Sequence, residues 1–198
     1  MNGQRLIRLT SLEVFVEPFP YFTADEGLGD VISSASLEWL ENEAPWELVV
    51  TNFYEQHEFS LLDAPLPPLL TFLTERPFLR DLRVKVERVF GRRLSDRIDC
   101  TAHKLVQGQT IRIHNDCIPG QETHRVLVHL NRGWRDDNGG FLMLFNSQDP
   151  TDVHRVFLPT NDSVVGFAIS ERSNHAVSTV HSGERFTLVF SFYGNGAG

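Results

Sequence analysis

The chain has no long apolar run. Its longest, such as Phe141 to Phe145, extend over about five residues, whereas a helix crossing a bilayer needs roughly twenty, so no membrane segment is expected. Cysteine is scarce. Cys100 and Cys117 can make at most one bridge, which excludes a disulfide-built scaffold and points to a reduced, cytoplasmic setting. The N-terminal stretch MNGQRLIRLTSLEVFVEPFP carries acidic residues and proline where a signal peptide needs an unbroken apolar core, so export by that route is not expected. Positive charge is in short supply, with 18 Lys+Arg against 26 Asp+Glu and a formal net charge of -8. A surface that grips nucleic acid through its phosphates needs the opposite balance, so no nucleic-acid partner is expected, although a local cationic pocket remains compatible with the count. Internal repeats, low-complexity tracts and Pro/Gly/Ser linkers are also missing, and residues 1–198 are expected to form a single domain.

What is present has the composition of an ordinary globular domain, with 198 residues of which 41% are hydrophobic and 22% charged, enough to bury a core. Its texture changes near residue 95. Before that point the helical period appears. Leu37, Trp39 and Leu40 lie in a short segment stopped by Pro45. Phe78, Leu79, Leu82, Val86, Val89 and Phe90 recur at i, i+3, i+4 between Pro77, suited to a first helical turn, and Gly91. Between these segments, Trp46 to Tyr54 alternates and is rich in β-branched and aromatic residues, the pattern of a strand. After residue 95 short strands dominate: 98–106, 110–114, 125–131, 141–145, 153–158, 163–169, 176–180 and 185–193. Turn signals such as Gln107-Gly108, Asn138-Gly139-Gly140 and Ser182-Gly183 separate them. Seven or eight short strands without helical interruption predict a sandwich or jelly roll. The fold expected is mainly β, with N-terminal α-helices bracing one outer face of the sheet.

Two short motifs carry chemistry. His114-Asn115-Asp116 closes a predicted strand. Side chains two apart on a strand share a face, so His114 and Asp116 can reach one metal while Asn115 points away. Taken alone, the same pair also fits a turn-capping Asp beside a surface His. About sixty residues later His175 opens a strand, and Arg185, ten residues further on, opens the next across the Ser182-Gly183 turn. Two His and one Asp make a facial triad, which holds Fe(II) on three adjacent corners and leaves three open for substrate chemistry. Arg185 adds a guanidinium able to grip the distal end of a dicarboxylate through charge-assisted hydrogen bonds.

Further pieces join these: the strand Arg125-Val126-Leu127-Val128-His129-Leu130-Asn131, then Trp134 and Gly139-Gly140-Phe141-Leu142, and Ala176-Val177 after His175. In order and spacing the set resembles the Fe(II)- and 2-oxoglutarate-dependent oxygenases, and among them the prolyl-hydroxylase-like branch. The resemblance covers about residues 98 to 193. It implies a double-stranded β-helix core supported by the helical and strand segment 1–95. It also implies His114, Asp116 and His175 as iron ligands, and Arg185 paired with the distal carboxylate of 2-oxoglutarate. Where that branch commonly has a Tyr that also contacts this carboxylate, this chain has His129. Its ring N–H can donate the same bond, and its charge, and with it cosubstrate affinity, is expected to follow pH. Six residues beyond Arg185, where a bulky Trp is usual, stands Ser191. By alternation Arg125 shares a face with Leu127 and His129, and Arg112 shares one with His114 near a substrate entrance; each either meets substrate or pairs with a carboxylate. His103 is a lesser candidate for the mouth. His57, His124, His154 and His181 read as surface or turn residues, and Cys117 as a buried, inert thiol.

The resemblance implies oxidation of a C–H bond by Fe(II), 2-oxoglutarate and O2, with release of succinate and CO2. Halogenases need a small residue at the position of Asp116, and nucleic-acid demethylases typically carry a second Arg where Ser191 stands. The leading expectation is therefore hydroxylation of an amino-acid side chain within a peptide or protein. A free amino acid or other small molecule is the alternative substrate. A non-catalytic jelly-roll binding module is a third reading, disfavoured because a binder has no need of all four of His114, Asp116, His175 and Arg185. The oligomeric state is not legible.

Overall fold

The structure, a computed structural model, describes residues 6–195; the first five residues of the N-terminal stretch weighed above as a signal peptide lie outside the described residues. Twelve strands and two α-helices are found among them. The strands are β1 (Glu13–Phe15), β2 (Tyr21–Ala24), β3 (Glu47–Val50), β4 (Glu55–Ser60), β5 (Leu94–Leu105) and β6 (Ile111–His114), then β7 (Glu122–His129), β8 (Leu142–Phe145), β9 (Val153–Phe157), β10 (Val164–Ala168), β11 (His175–Val177) and β12 (Arg185–Gly194). Helix α1 (Asp30–Asn42) precedes β3, and α2 (Arg76–Phe90) precedes β5. Eight strands form a major sheet in the order β1-β2-β10-β7-β12-β5-β4-β3, and four form a minor sheet in the order β6-β11-β8-β9. The fold is the mainly β jelly roll expected from the strand pattern.

Alternation explains how the layers stack. Along β12, Phe186, Leu188, Phe190 and Phe192 join Cys100 and Ala102 of β5 and Val126 and Val128 of β7 in one core, closed by Leu37, Trp39 and Leu40 of α1 and Phe78, Leu82 and Val86 of α2. The opposite face of the same strands contributes Leu105, Leu127 and Val189 to a second core, completed by Leu142, Leu144 and Val177 of the minor sheet. Each fully buried side chain of this kind contributes about 1.5–3 kcal/mol. The helices thus brace the major sheet from outside, while the two sheets enclose the inner space.

Several boundaries differ from the sequence reading. The helix around Leu37 starts earlier, at Asp30, because the chain before it is tied down from afar: the Asp162 carboxylate accepts hydrogen bonds from Leu28 N at 2.8 Å and Gly29 N at 2.6 Å. The strand expected over 46–54 breaks after Val50. Thr51 Oγ1 accepts from Phe53 N and Tyr54 N at 3.3 and 3.1 Å, a side-chain turn that sends the chain back as β4. Strand β4 was missed because Glu55-Gln56-His57-Glu58 lacks an apolar stripe, and β1 and β2 because they are short.

Gly166 of β10 lies under a ring. A Cβ there would stand 2.2 Å from Cε1 of Phe22, which is fully buried. Gly166→Ala is expected to destabilise the fold by about 1–3 kcal/mol through overpacking, seen as a thermal midpoint lowered by several degrees; an unchanged midpoint would mean that Phe22 yields freely.

Candidate active site

Between the sheets lies a cavity of about 340 Å³. The register of the major sheet sets out its floor as cross-strand rows. Thr187 pairs with His129 on one side and His103 on the other, and His103 pairs with Glu58. Two steps along the strands, Val189 lies between Leu127 and Thr101, and beyond them Ser191 lies between Arg125 and Asp99.

Three metal-binding side chains meet above this floor. The ligand atoms of His114, Asp116 and His175 all lie within 4.8 Å of one another. Asp116 Oδ2 is 3.4 Å from His114 Nε2 and 3.2 Å from His175 Nε2. How they converge differs from simple alternation. The β6–β11 ladder pairs His175 with His114 but Val177 with Ile111, so β6 carries one extra residue. This bulge reverses the alternation: Ile111 and His114 both line the cavity, whereas Arg112 is turned out to a separate surface hollow beside Thr51 and Phe53. The expectation that Arg112 shares the face of His114 is therefore corrected. Asp116 lies past the end of β6 and reaches the site from a left-handed backbone, φ 56°, a conformation Asp tolerates better than most residues.

The surroundings fix the chemistry of the donors. His114 Nδ1 donates to Arg112 O at 2.8 Å and His175 Nδ1 to Ser173 O at 2.7 Å. A carbonyl only accepts, so each ring carries its proton on Nδ1 and presents a lone pair at Nε2. Burial opposes ionisation of Asp116, but the Arg125 guanidinium beside it favours the carboxylate and helps to hold its pKa below the usual range. Arg125 Nη1 donates to Asp116 Oδ2 at 2.6 Å, while its Nε and Nη2 grip Glu122 at 3.0 and 2.7 Å. Three lone-pair atoms held this close repel one another unless a cation lies among them, and two imidazoles with one carboxylate suit Fe(II).

At the other end of the cavity is Arg185, 4% exposed. Its Nε donates to Gly140 O and its Nη1 to Thr187 Oγ1, both at 2.8 Å. It has no carboxylate partner among the described residues. Burial lowers its pKa to about 10, so it stays charged at neutral pH. The Gly139-Gly140 turn makes the close approach possible: a Cβ on Gly139 would sit 2.2 Å from Thr179 O, and one on Gly140 3.0 Å from Arg185 Cδ. His129 is fully buried. It packs against Thr187 and Arg185, with Nδ1 3.3 Å from Thr187 Oγ1 and 3.5 Å from Arg185 Nη2, and it is not among the cavity's lining residues. Burial, and then the Arg185 charge, push its pKa well below the usual histidine value. The ring is neutral at physiological pH, which corrects the expectation of a pH-dependent charge.

Other residues complete the walls. His103 lines the cavity, as do Tyr54, Gln56, Glu58, Thr101 and Asp99, of which the sequence reading placed only His103 at the site. The cross-strand positions of Thr101 and Asp99 follow from β5 alternation, but Gln56 and Glu58 needed the missed strand β4. His124, read as a surface residue, is buried at 4% exposure against the Phe90 ring. Burial, then Arg92, lowers its pKa to about 4. Cys117 is half-buried rather than buried.

Comparison with known proteins gives this arrangement its class. Residues 100–192 match the family model of the 2OG-Fe(II) oxygenase superfamily. Among curated proteins nothing matches. A Pseudomonas putida prolyl-4-hydroxylase superposes with TM-score 0.72 at 19% identity, covering 89% of this chain and 93% of that one. A Trichoplax adhaerens prolyl hydroxylase in complex with a hypoxia inducible factor peptide fragment gives 0.64 at 16% identity, covering 87% and 83%. HygX from Streptomyces hygroscopicus, with nickel, 2-oxoglutarate and hygromycin B bound, gives 0.60 at 13% identity, covering 89% and 83%. The fold is prolyl-hydroxylase-like, and residues 100–192 carry a 2OG-Fe(II) oxygenase domain. That stretch is a 2-oxoglutarate-dependent dioxygenase domain, a class that uses Fe(II) as cofactor and 2-oxoglutarate and O2 as cosubstrates.

Because His129 is neutral, it adds no titration to cosubstrate binding. Calorimetric profiles of 2-oxoglutarate affinity between about pH 6 and 8 are expected to run parallel in Fe(II)-loaded wild type and His129→Asn; diverging profiles would show that the ring ionises in this range.

Proposed function

We propose that the protein hydroxylates an unactivated C–H bond of an amino-acid side chain within a peptide or protein, with Fe(II) held by His114, Asp116 and His175. In this reading Arg185 holds the distal carboxylate of 2-oxoglutarate. The reaction balances as R–H, 2-oxoglutarate and O2 giving R–OH, succinate and CO2. The observation that carries it is Arg185, a buried cation without a carboxylate partner among the described residues, opening into the same cavity as the three metal donors. Bound Fe(II) supplies the capacity to activate O2, which amino-acid side chains lack.

The chain's own residues provide placement. The Nδ1 protons of His114 and His175, held by main-chain carbonyls, keep Nε2 facing the metal position. Arg125, itself anchored by Glu122, holds the orientation of the Asp116 carboxylate. Gly140 O and Thr187 aim the Arg185 guanidinium, and His129 packs Thr187 in place. Leu127, Val189, Leu142, Phe167 and Val177 line the space between with apolar surface and exclude water. Residues 1–198 form one catalytic domain in this reading. Cys100 and Cys117, both free thiols, support a reducing cytoplasmic setting. The Trichoplax structure, which holds a peptide, supports a peptidyl substrate; the HygX structure, which holds hygromycin B, supports the small-molecule alternative. Among the described residues no helix is long and apolar enough to cross a membrane.

Anaerobic titration with Fe(II) and 2-oxoglutarate is expected to develop a weak metal-to-ligand charge-transfer band in the wild type, and O2 to release succinate. His175→Ala should abolish the band. Arg185→Ala should weaken 2-oxoglutarate binding about 30-fold or more, the cost of losing a buried charge-assisted pair, with Fe(II) affinity retained. A wild type that gives neither band nor succinate, or an Arg185→Ala protein of unaltered affinity, would remove the reading. Arg125→Ala should weaken Fe(II) binding by about 10–100-fold, measured by competition with a chromogenic chelator; tighter binding would mean that Arg125 competes with the metal for Oδ2.

A further inference from the structure

Once iron and cosubstrate are counted, the cavity contains one carboxylate too many. Asp116 faces the metal position and Arg125, and Arg125 is balanced by Glu122. Asp99 is paired with Arg97 at 2.7 Å and also accepts from the Tyr193 hydroxyl. Arg185 is matched by the distal carboxylate of 2-oxoglutarate on the reading above. Glu58 remains. It lines the cavity, and its side chain is 30% exposed. Its Oε2 accepts from the Gln56 amide at 2.7 Å, and its Oε1 has no hydrogen-bond partner among the described residues.

The nearest basic group does not supply the missing charge. His103 Nε2 is 3.9 Å from Glu58 Oε2, but burial, with Arg125 and Arg185 nearby, lowers the His103 pKa to about 3, and the ring is neutral. A second acceptor on the same wall is also unsatisfied. Gln56 is 3% exposed, and its Oε1 is buried without a hydrogen-bond partner. With its amide nitrogen given to Glu58 and also 3.4 Å from His103 Nδ1, Gln56 has only this oxygen left unpaired. The Tyr54 hydroxyl, also on the cavity wall, has its pKa raised by burial and then by Glu58 and Asp116, against the opposing charge of Arg125. A neutral substrate would leave the Glu58 charge half-desolvated and uncompensated, whereas an ammonium or guanidinium would satisfy it and have the Gln56 oxygen within the same wall.

We infer that Glu58, with Gln56 beside it, is a specificity site for a cationic nitrogen, so that the substrate carries an ammonium or guanidinium group on or beside the residue that is oxidised. The inference deepens the dioxygenase reading and rests on it for the position of the reacting carbon. It defines the substrate as basic, whether a lysyl or arginyl side chain in a peptide or a free basic amino compound.

The test uses a charge series on one carbon chain. Pentylammonium, pentanol and pentanoate are titrated calorimetrically into anaerobic protein loaded with Fe(II) and 2-oxoglutarate. Wild type should bind the ammonium at least about tenfold more tightly than the alcohol, with the carboxylate weakest, and Glu58→Gln should reduce the ammonium preference to about twofold or less. Equal binding of ammonium and alcohol by the wild type, or a preference that survives Glu58→Gln, overturns the inference. A second arm follows succinate release under O2 with a lysyl peptide, the same peptide bearing acetyl-lysine, and free lysine. Stimulation by either basic probe above the acetylated peptide supports the site and tells peptide from small molecule; equal or greater stimulation by the acetylated peptide overturns it. Fe(II) and 2-oxoglutarate binding, measured first, reports separately. Their failure to bind would sink the dioxygenase reading, while the charge series still decides whether Glu58 selects cations.

Discussion

The two-residue alternation along β12 is the constraint on which the rest of the molecule depends. Phe186, Leu188, Phe190 and Phe192 hold the helices to the sheet, while Arg185, Thr187, Val189 and Ser191 face the cavity. A slip of one residue would drive a guanidinium under the helices and four apolar side chains into the cavity. Neighbouring strands lock the register, since β12 pairs with β5 and β7 along nearly its whole length. Stability and chemistry are thus set by one choice of frame, and the outer core protects the inner geometry.

Electrostatics inside that frame run opposite to the net charge. The chain is acidic, at -8, yet Arg185, among its most buried charged groups, is held by a main-chain carbonyl and a hydroxyl rather than by a carboxylate. A buried charge without a counterion is costly, and neutral hydrogen-bond acceptors offset only part of that cost. In the function proposed above the cosubstrate completes the pair, so that binding gains from an imbalance already built into the protein. His129 contributes by staying neutral: a second cation beside Arg185 would add repulsion where the first already lacks a partner.

Much of this was legible in the sequence because it follows from local spacing. The i, i+3, i+4 pattern from Phe78 to Phe90 gave α2, and the alternation of β7 correctly put Arg125, Leu127 and His129 on one face. The ten-residue interval from His175 to Arg185 marked two ends of the cavity. What was not legible depends on partners distant in the chain. The bulge that turns Arg112 out is visible only in the pairing of β6 with β11. The left-handed backbone of Asp116 leaves no periodic trace. Strand β4 looks like a polar loop because one of its faces is part of the cavity wall, and with it Gln56 and Glu58 went unnoticed. Residue type marked His129 as titratable and put His124 at the surface, but burial keeps both neutral at neutral pH.

The stretch that matches the oxygenase family starts at residue 100, midway along β5, and leaves out both helices and four strands. Cut there, the sheet would present Phe186, Leu188, Phe190 and Phe192 to water as one continuous apolar surface, the kind that drives association. Asp162 would lose the main-chain N–H groups of Leu28 and Gly29 that it now caps. The unit that can fold is therefore wider than the unit that can be recognised, and the first half of the chain is half of the wall rather than an accessory to it.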